Sequence, residues 1–195
     1  MMKRKHFERG PYHSAKKFIE FLKPGSKVLD LGCGGGIQSH FFAQQGFETW
    51  GIDADPMEVK RAMESYEVPN LHFQTGRAEE IPFPAGFFDG IYSAAVLHSI
   101  PLERPAREIY RVAKDGAVIY LEFLLNYVSA ERSRNFHTRR KIEAVYAKDF
   151  QISFLDEFPI DDPGSEGKPD VEFEPPHRHD ILVLGLKKTS GTWTR

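Results

Sequence analysis

The feature that most constrains this chain is the run VLDLGCGGG at residues 28–36, followed by a second apolar run that ends in Asp53. A short apolar strand breaks into glycines, a helix-like stretch follows, and another strand closes on a carboxylate. Gly32, Gly34, Gly35 and Gly36 let the backbone turn sharply and leave it open to close approach. A helix begins directly behind them, so the turn presents a helix N-terminus. Two strands joined through a helix lie parallel, which brings their carboxyl ends to the same edge of a sheet. Such an edge suits a nucleoside-bearing ligand held against bare backbone. An ordinary tight turn is the competing explanation of a glycine cluster.

The same alternation continues along the chain. An amphipathic helix spans about Tyr12–Leu22 and stops at Pro24-Gly25. Strands are expected at Lys27–Leu31, Phe47–Ile52, Leu71–Gln74, Phe88–Ser93 and Ala117–Phe123. Helices are expected at Gln38–Gln45, from Asp55-Pro56 to about Tyr66, and at Leu102–Ala113, with Asp55 as an N-cap and proline in the first helical position. The fourth strand is apolar almost throughout, as a parallel strand covered on both faces should be. Residues Asn126–Phe150 read as polar helix, Gln151–Phe158 as strand six, about Pro159–Pro176 as an acidic Pro/Gly-rich loop, and Ile181–Lys187 as strand seven.

The expected fold class is therefore α/β: a Rossmann-like, doubly wound, seven-stranded sheet, mostly parallel with an antiparallel C-terminal strand pair. At 195 residues the chain is expected to form a single domain over 1–195. Within it we expect an N-terminal helix in 1–26, a cofactor-binding core over 27–123, a substrate-cover helix and edge strands over 124–188, and a frayed tail from 189 to 195.

Charge and composition exclude several classes. A formal net charge of −2 offers no general field for nucleic acid. No stretch approaches the roughly 20 apolar residues of a membrane span. The start, MMKRKHFERG, has basic residues but no apolar run behind them, so it does not read as a signal peptide. The one cysteine, Cys33, cannot form an internal disulfide, which fits a reducing cytoplasm. Between glycines Cys33 is either a nucleophile or a small space-filler, and we expect the second.

Asp30, the acid inside the glycine run, suits a ligand with a cationic amino-acid tail better than one with a pyrophosphate. The run resembles motif I of the class I S-adenosylmethionine-dependent methyltransferases. Residues 76–100, GRAEEIPFPAGFFDGIYSAAVLHSI, resemble that family's adenine-contacting loop and fourth strand, which typically read G-D-A-E-x-L-P-F, a spacer, then F-D. Residues 107–123, REIYRVAKDGAVIYLEF, resemble its E-x-x-R-V-L-x-P-G-G turn into strand five. Together the matches span about Val28–Phe123. Arg77 departs from the pattern, standing where an aspartate is common. Lys114-Asp115-Gly116-Ala117 replaces the proline-glycine-glycine turn, and Asp-Gly remains good turn chemistry.

The resemblance implies S-adenosylmethionine as cofactor and methyl donor, with S-adenosylhomocysteine as product. It assigns Asp30 to the amino group of the methionine end and Gly32, Cys33 and Gly34 to the backbone cradle. Asp53 would accept the ribose hydroxyls, with Ala54 beside it. Ala78 would offer its N–H to adenine, Glu79 would reach the exocyclic amine, and Ser93 and Tyr12 complete the set. Ile81 and Phe83 are also consistent with core, and Asp89 is expected to fix the entry to its strand.

Ligands of open α/β sheets bind beyond the carboxyl ends of the strands. That rule nominates Ser93, Ala94 and His98 after strand four, Glu122 after strand five, and Tyr12 with His13 at the N-terminal segment. His98 is the candidate proton acceptor, because imidazole titrates near neutral pH; the alternative is a histidine that packs or lines the pocket. Residues 131–141, ERSRNFHTRRK, fit either an anionic acceptor or a solvated helix face, and a solvated face is the commoner meaning of such a run. His177 and His179 could share one face of a strand but lack further ligands for a metal. The acidic stretch Asp161–Glu174 lacks an EF-hand pattern and reads as a connector.

No D/N-P-P-Y/F sequence follows strand four. Ser93-Ala94-Ala95-Val96 stands there instead, which is similar to the small-molecule and quinone-type branch of the family. The expected function is a cytoplasmic methyltransferase acting on a small-molecule acceptor, with no nucleic-acid partner and the oligomeric state open. Two alternatives stand beside it. One is a non-catalytic methyltransferase-like protein that only holds the cofactor. The other is a nicotinamide-dependent oxidoreductase, against which Asp30 and the 76–100 match both count.

Overall fold

The computed structural model describes residues 13–125, 137–162 and 177–189. Its strands are β1 (Lys27–Leu31), β2 (Glu48–Asp53), β3 (Leu71–Thr75), β4 (Phe88–Ala94), β5 (Ala113–Leu125), β6 (Phe150–Asp162) and β7 (His177–Lys188). The helices are α1 (His13–Ile19), α2 (Ile37–Gln44), α3 (Pro56–Ser65), α4 (Glu103–Val112) and α5 (Arg139–Tyr146), with a 3₁₀ turn at Leu97–Ser99. All seven strands form one sheet in the order β3-β2-β1-β4-β5-β7-β6. The first five run parallel, and β7 runs antiparallel to both β5 and β6. The expected α/β Rossmann-like sheet with an antiparallel C-terminal pair is what the chain forms, and β7 lies inside it while β6 takes the edge. The strand order reverses at β1 and β4, so the crevice of the sheet opens where those strands end.

Alternation along the strands divides the core between the two faces. Ile119, Leu121 and Phe123 of β5 join Leu29, Ile91 and the buried residues of α4 and α5 on one side. Tyr120 of β5 and Tyr92 of β4 meet Phe18 of α1 and Phe42 of α2 on the other. The helix α1 sits close because β4 has no side chain beneath it at Gly90. A Cβ there would stand 2.9 Å from both Leu22 and Phe18. Asp55 caps α3 as expected, accepting the N–H of Met57 at 2.8 Å. Asp89 does fix its strand entry: it accepts from the Lys27 N–H at 2.9 Å and from Lys114 Nζ at 2.7 Å.

Four expectations require correction. The first helix stops at Ile19, short of Leu22, because the last amides bond three residues back in tight turns and Phe21 faces solvent. Tyr12 lies outside the described residues. The long polar helix expected over Asn126–Phe150 is, within the described residues, only α5, which starts at the Thr138 cap and buries Ile142 and Tyr146. Phe150 belongs to β6, where its ring meets those of Tyr110 and Tyr146. The loop expected from Pro159 begins later, because β6 and β7 keep pairing out to Asp162 and His177. Finally, β5 begins at Ala113: the Lys114-Asp115-Gly116 turn is a bulge within the strand, between the Phe88–Ala113 and Gly90–Val118 pairs, with Gly116 at φ +78°. Residues 126–136, 163–176 and the tail from 190 lie outside the described residues.

Gly185 of β7 stands opposite both Tyr120 and Phe154, and a Cβ on it would fall 2.0 Å from the Phe154 ring. Gly185→Ala should therefore destabilise the protein by about 1–3 kcal/mol, the usual cost of overpacking. Phe154→Ala in the same chain should return part of that loss. Chemical denaturation of the four chains of the cycle measures it, and equal stability of Gly185→Ala and wild type would refute the close contact.

Candidate functional site

The glycine run leaves β1 and enters α2 through three left-handed residues: Gly32 at φ +79°, Gly34 at +49° and Gly36 at +83°. Four of its amides are bonded within the protein. Gly32 and Cys33 both donate to the Ile52 carbonyl, at 2.8 and 3.0 Å, and Gly36 donates to the Cys33 carbonyl at 2.9 Å. Gly34 N–H donates to Asp53 Oδ2 at 2.8 Å, while Asp53 Oδ1 accepts from the Asp55 N–H at 2.9 Å. The carboxylate at the end of β2 is thus oriented by one amide from each neighbouring loop, and both oxygens keep further acceptor capacity.

Asp30 lies one strand over, 2% exposed, with Ser39 Oγ of α2 donating to its Oδ2 at 2.5 Å. Burial pushes its carboxyl up to about 7, against the opposing pull of the Ser39 hydrogen bonds, and the Asp53 charge adds to the rise. A cavity of about 370 Å³ opens between the glycine run, the start of α2 and the residues that follow β4. Asp30, Gly32, Cys33, Gly34 and Asp53 all line it. The Cys33 thiol is pushed far up by burial and then by Asp30 and Asp53, so it stays protonated and acts as the small space-filler expected of it.

The chain leaving β4 closes the cavity. Ala95 takes a left-handed φ of +56°, a strained conformation for a residue with a side chain, and its N–H donates to the Glu122 carbonyl at 3.2 Å. Val96 then packs so tightly on the glycine run that a Cβ at Gly32 would lie 2.1 Å from its Cγ2. On the α1 side, Ser14 Oγ and Tyr92 Oη are 2.7 Å apart in a buried pair. Glu122, half-buried at the end of β5, is raised by burial and lowered by the Ser14 hydroxyl. Ser14 therefore joins Tyr92, which lines the cavity, to a carboxylate on the next strand.

Other candidates sit elsewhere. Ser93 is 1% exposed and donates its hydroxyl to the Leu31 carbonyl at 2.9 Å, tying β4 to β1. Ala54 is exposed behind Asp53. Ala78 is buried on the loop after β3, and the neighbouring Glu79 carboxylate accepts from Arg77 Nη2 at 3.1 Å. Ile81 and Phe83 both belong to the core, the first buried and the second packed against it. His98 is half-buried in the Leu97–Ser99 turn, outside the lining of the cavity, and His13 is exposed at the start of α1. In the basic run, Arg139 pairs with Glu143 at 2.7 Å and Glu157 at 3.2 Å, as a solvated, ion-paired face would. His177 and His179 fall in β7, their side chains outside the described set.

Sequence reasoning missed Ile37, Gln38, Tyr92, Ala95 and Val96 as lining residues. The position of Ile37 and Gln38 directly behind the glycines could have found them. Nothing local marks Ala95, because an alanine at positive φ has no sequence signature. No helix among the described residues is long and apolar enough to cross a membrane.

Gly32→Ala meets two obstacles, the positive φ and the Val96 side chain, and should cost about 2–6 kcal/mol by the sum of strain and overpacking. Adding Val96→Ala should remove the overpacking part only. Thermal or chemical unfolding of single and double variants checks this; full rescue would mean that the backbone conformation there carries no strain.

Residues 29–121 match the family model described as a methyltransferase domain. Among curated proteins, an uncharacterised methyltransferase of Synechocystis sp. is 37% identical over 103 residues, covering 51% of this chain and 48% of that protein. The 2-methyl-6-phytyl-1,4-hydroquinone methyltransferase of the same organism is 36% identical over 105 residues, covering 52% of this chain and 33% of that protein. The chain therefore spans between a third and a half of the length of these relatives. Among solved structures, the YcgJ protein of Bacillus subtilis aligns with a TM-score of 0.73 at 19% identity, covering 92% of this chain and 99% of that one. An S-adenosylmethionine-dependent methyltransferase of Mesorhizobium loti aligns with a TM-score of 0.69 at 16% identity, over 89% and 96%. The match over residues 29–121, a little under half of the chain, and the Rossmann-like methyltransferase sheet built around it support membership in the class I S-adenosylmethionine-dependent methyltransferase superfamily.

Proposed function

We propose that this chain transfers the methyl group of S-adenosylmethionine to a small-molecule acceptor. The observation that carries the proposal is the pair of carboxylates, Asp30 and Asp53, set at the ends of adjacent strands around one cavity of about 370 Å³. A buried Asp30 that, among the described residues, takes a side-chain hydrogen bond from the Ser39 hydroxyl calls for a cation, and the ammonium of an amino-acid tail supplies one. Asp53, already oriented by two amides, has oxygens left for two vicinal hydroxyls. A pyrophosphate in the same cavity would bring negative charge against both carboxylates, which disfavours a nicotinamide dinucleotide.

In the proposed assignment Asp30 holds the amino group and Asp53 the ribose. The glycine run gives close backbone approach, and Ala78 and Glu79 lie on the loop that faces the base. The bond from Arg77 leaves Glu79 less free to reach an exocyclic amine than an unpaired carboxylate would be. The cofactor, when bound, supplies an already activated methyl group on a sulfonium. The work left to the chain is positioning and exclusion of water. For an acceptor oxygen that must lose a proton, His98 in the turn beyond β4 and Glu122 near the end of β5 are the candidate proton acceptors, both outside the lining of the cavity. Relatives named for a hydroquinone, a tocopherol and a sterol support a small-molecule acceptor.

Calorimetric titration tests the cofactor. S-adenosylhomocysteine should bind one-to-one and NADH should not. Asp53→Ala should weaken S-adenosylhomocysteine by about 10–100-fold, the worth of one or two charge-assisted hydrogen bonds. Binding of NADH in place of the adenosyl ligand would overturn the proposal. Radiolabelled methyl transfer into a small-molecule extract, run beside a protein fraction, tests the acceptor class, since one relative is named for ribosomal protein L11.

Asp30 adds a pH dependence. With its carboxyl raised from 3.8 to about 7, the free protein holds a proton there that the unfolded chain releases. The free protein should thus lose stability as pH rises from about 4 through about 7, and Asp30→Asn should flatten that loss. A bound ammonium favours the carboxylate, so binding below about pH 7 should release a proton and affinity should rise with pH up to that point. Titration in buffers of different ionisation enthalpy measures the proton. Binding with no proton release at pH 6 in wild type would remove Asp30 from the role.

A further inference from the structure

The loop that carries Ala78 and Glu79 is held from outside by a helix that never touches the cavity. It leaves β3 at Thr75 beside Asp53, whose carbonyl accepts the Gly76 N–H at 2.9 Å. It closes on itself where the Glu80 N–H reaches the Arg77 carbonyl at 3.1 Å. Pro82 and Pro84 lack N–H groups, so the segment after Glu80 cannot order itself by pairing as a strand. Side chains of α4 supply the order. Glu108 Oε2 accepts the Ile81 N–H at 2.8 Å, and Arg111 donates to the Ile81 carbonyl through Nη2 and to the Phe83 carbonyl through Nη1, each at 2.7 Å.

The two side chains are locked to each other as well. Arg111 Nε meets Glu108 Oε1 at 2.8 Å and Nη2 meets Oε2 at 2.7 Å, a forked pair at i,i+3 on one face of α4. The Arg111 hydrogen bonds hold the Glu108 carboxyl below its ordinary range, so the clamp stays ionised through neutral pH. Both backbone groups of Ile81 are thereby bonded to α4. Ring packing of Phe83 on Phe88 and Trp50 secures the next turn. A shift of this clamp moves the loop as a body, because its two ends touch: a Cβ on Gly76 would stand 3.1 Å from Pro82.

We infer that Glu108 and Arg111 are positioning residues that set the loop over residues 76–83 in the shape that selects the nucleoside base. The inference rests on the cofactor proposal above. Neither side chain lines the cavity, so both act through Ile81, Phe83 and the loop they hold.

The test measures affinity for S-adenosylhomocysteine and for its inosine analogue, in which the 6-amino group is replaced by a carbonyl oxygen. Wild type should prefer the adenine ligand. Arg111→Lys keeps the charge but loses the fork. Glu108→Gln keeps an acceptor for Ile81 but loses the ion pair. Each should weaken S-adenosylhomocysteine by about tenfold and leave the analogue nearly unchanged, so that the preference collapses. A clamp that merely stabilises the fold would lower the melting temperature, or both affinities together, and leave their ratio intact; that result overturns the inference. Equal binding of the two ligands by wild type also overturns it. Failure of wild type to bind either ligand overturns the cofactor proposal itself, and the inference with it. If Arg111→Lys does not fold, Glu108→Gln carries the same comparison.

Discussion

The single bond from the Gly34 N–H to the Asp53 carboxylate joins the two halves on which this site depends. It ties the turn after β1 to the end of β2, and the Gly32 and Cys33 amides repeat the tie on the Ile52 carbonyl. With those contacts made, the turn has one path into α2, and that path needs left-handed backbone at Gly32, Gly34 and Gly36. The post-β4 chain then has one place to lie, with Val96 against Gly32 where any side chain would be in the way. The cavity is the space left between these pieces. At the glycine run its wall is bare backbone because a side chain at Gly32 would break the contact with Val96, while Ile37, Gln38 and Tyr92 complete the enclosure.

Electrostatics sets what that space accepts. Two carboxylates close together in a half-enclosed cavity repel each other and any further anion. Below about pH 7 the conflict is relieved in the free protein by a proton on Asp30, held there by burial, while Asp53 stays oriented by amide dipoles. A ligand with a cationic group at one end and hydroxyls further along removes both costs at once. Burial, reinforced by the same two carboxylates, keeps the Cys33 thiol protonated and chemically quiet, although it lines the cavity.

The C-terminal side of the sheet is built differently. There β7 runs between β5 and β6, so that the sheet continues past the parallel core as antiparallel strands of 12 and 13 residues. The ends of these strands at His177 and Asp162 lie at the same edge as the carboxyl ends of β1 and β4, because β6 runs with the parallel strands. His137 bonds the Ile100 carbonyl at 2.7 Å, which fastens the chain before α5 to the turn after β4. The turn carrying His98 is therefore braced from the region that differs most from the simple α/β pattern.

The parallel core was legible in the sequence because its signals are local. Apolar runs, the Asp55-Pro56 cap and the glycines each dictate backbone within a few residues, and Asp30 and Asp53 follow at strand ends by simple counting. The features that failed to show are those in which distant residues decide the outcome. Ser93 turned to the Leu31 carbonyl, and Ala95 adopted a left-handed turn under the pull of the Glu122 carbonyl. Among the described residues, the polar stretch before Phe150 forms only α5, whose Ile142 and Tyr146 found the core formed by other elements. The sequence by itself determined the mostly parallel α/β sheet and the carboxylates beside the glycines, because propensity and spacing act over one or two turns of chain. Only the tertiary structure decided the order β5-β7-β6, the closure of the cavity by Val96 and the grip of Glu108 and Arg111 on a loop some 30 residues away, because those depend on which surfaces meet after the strands have paired.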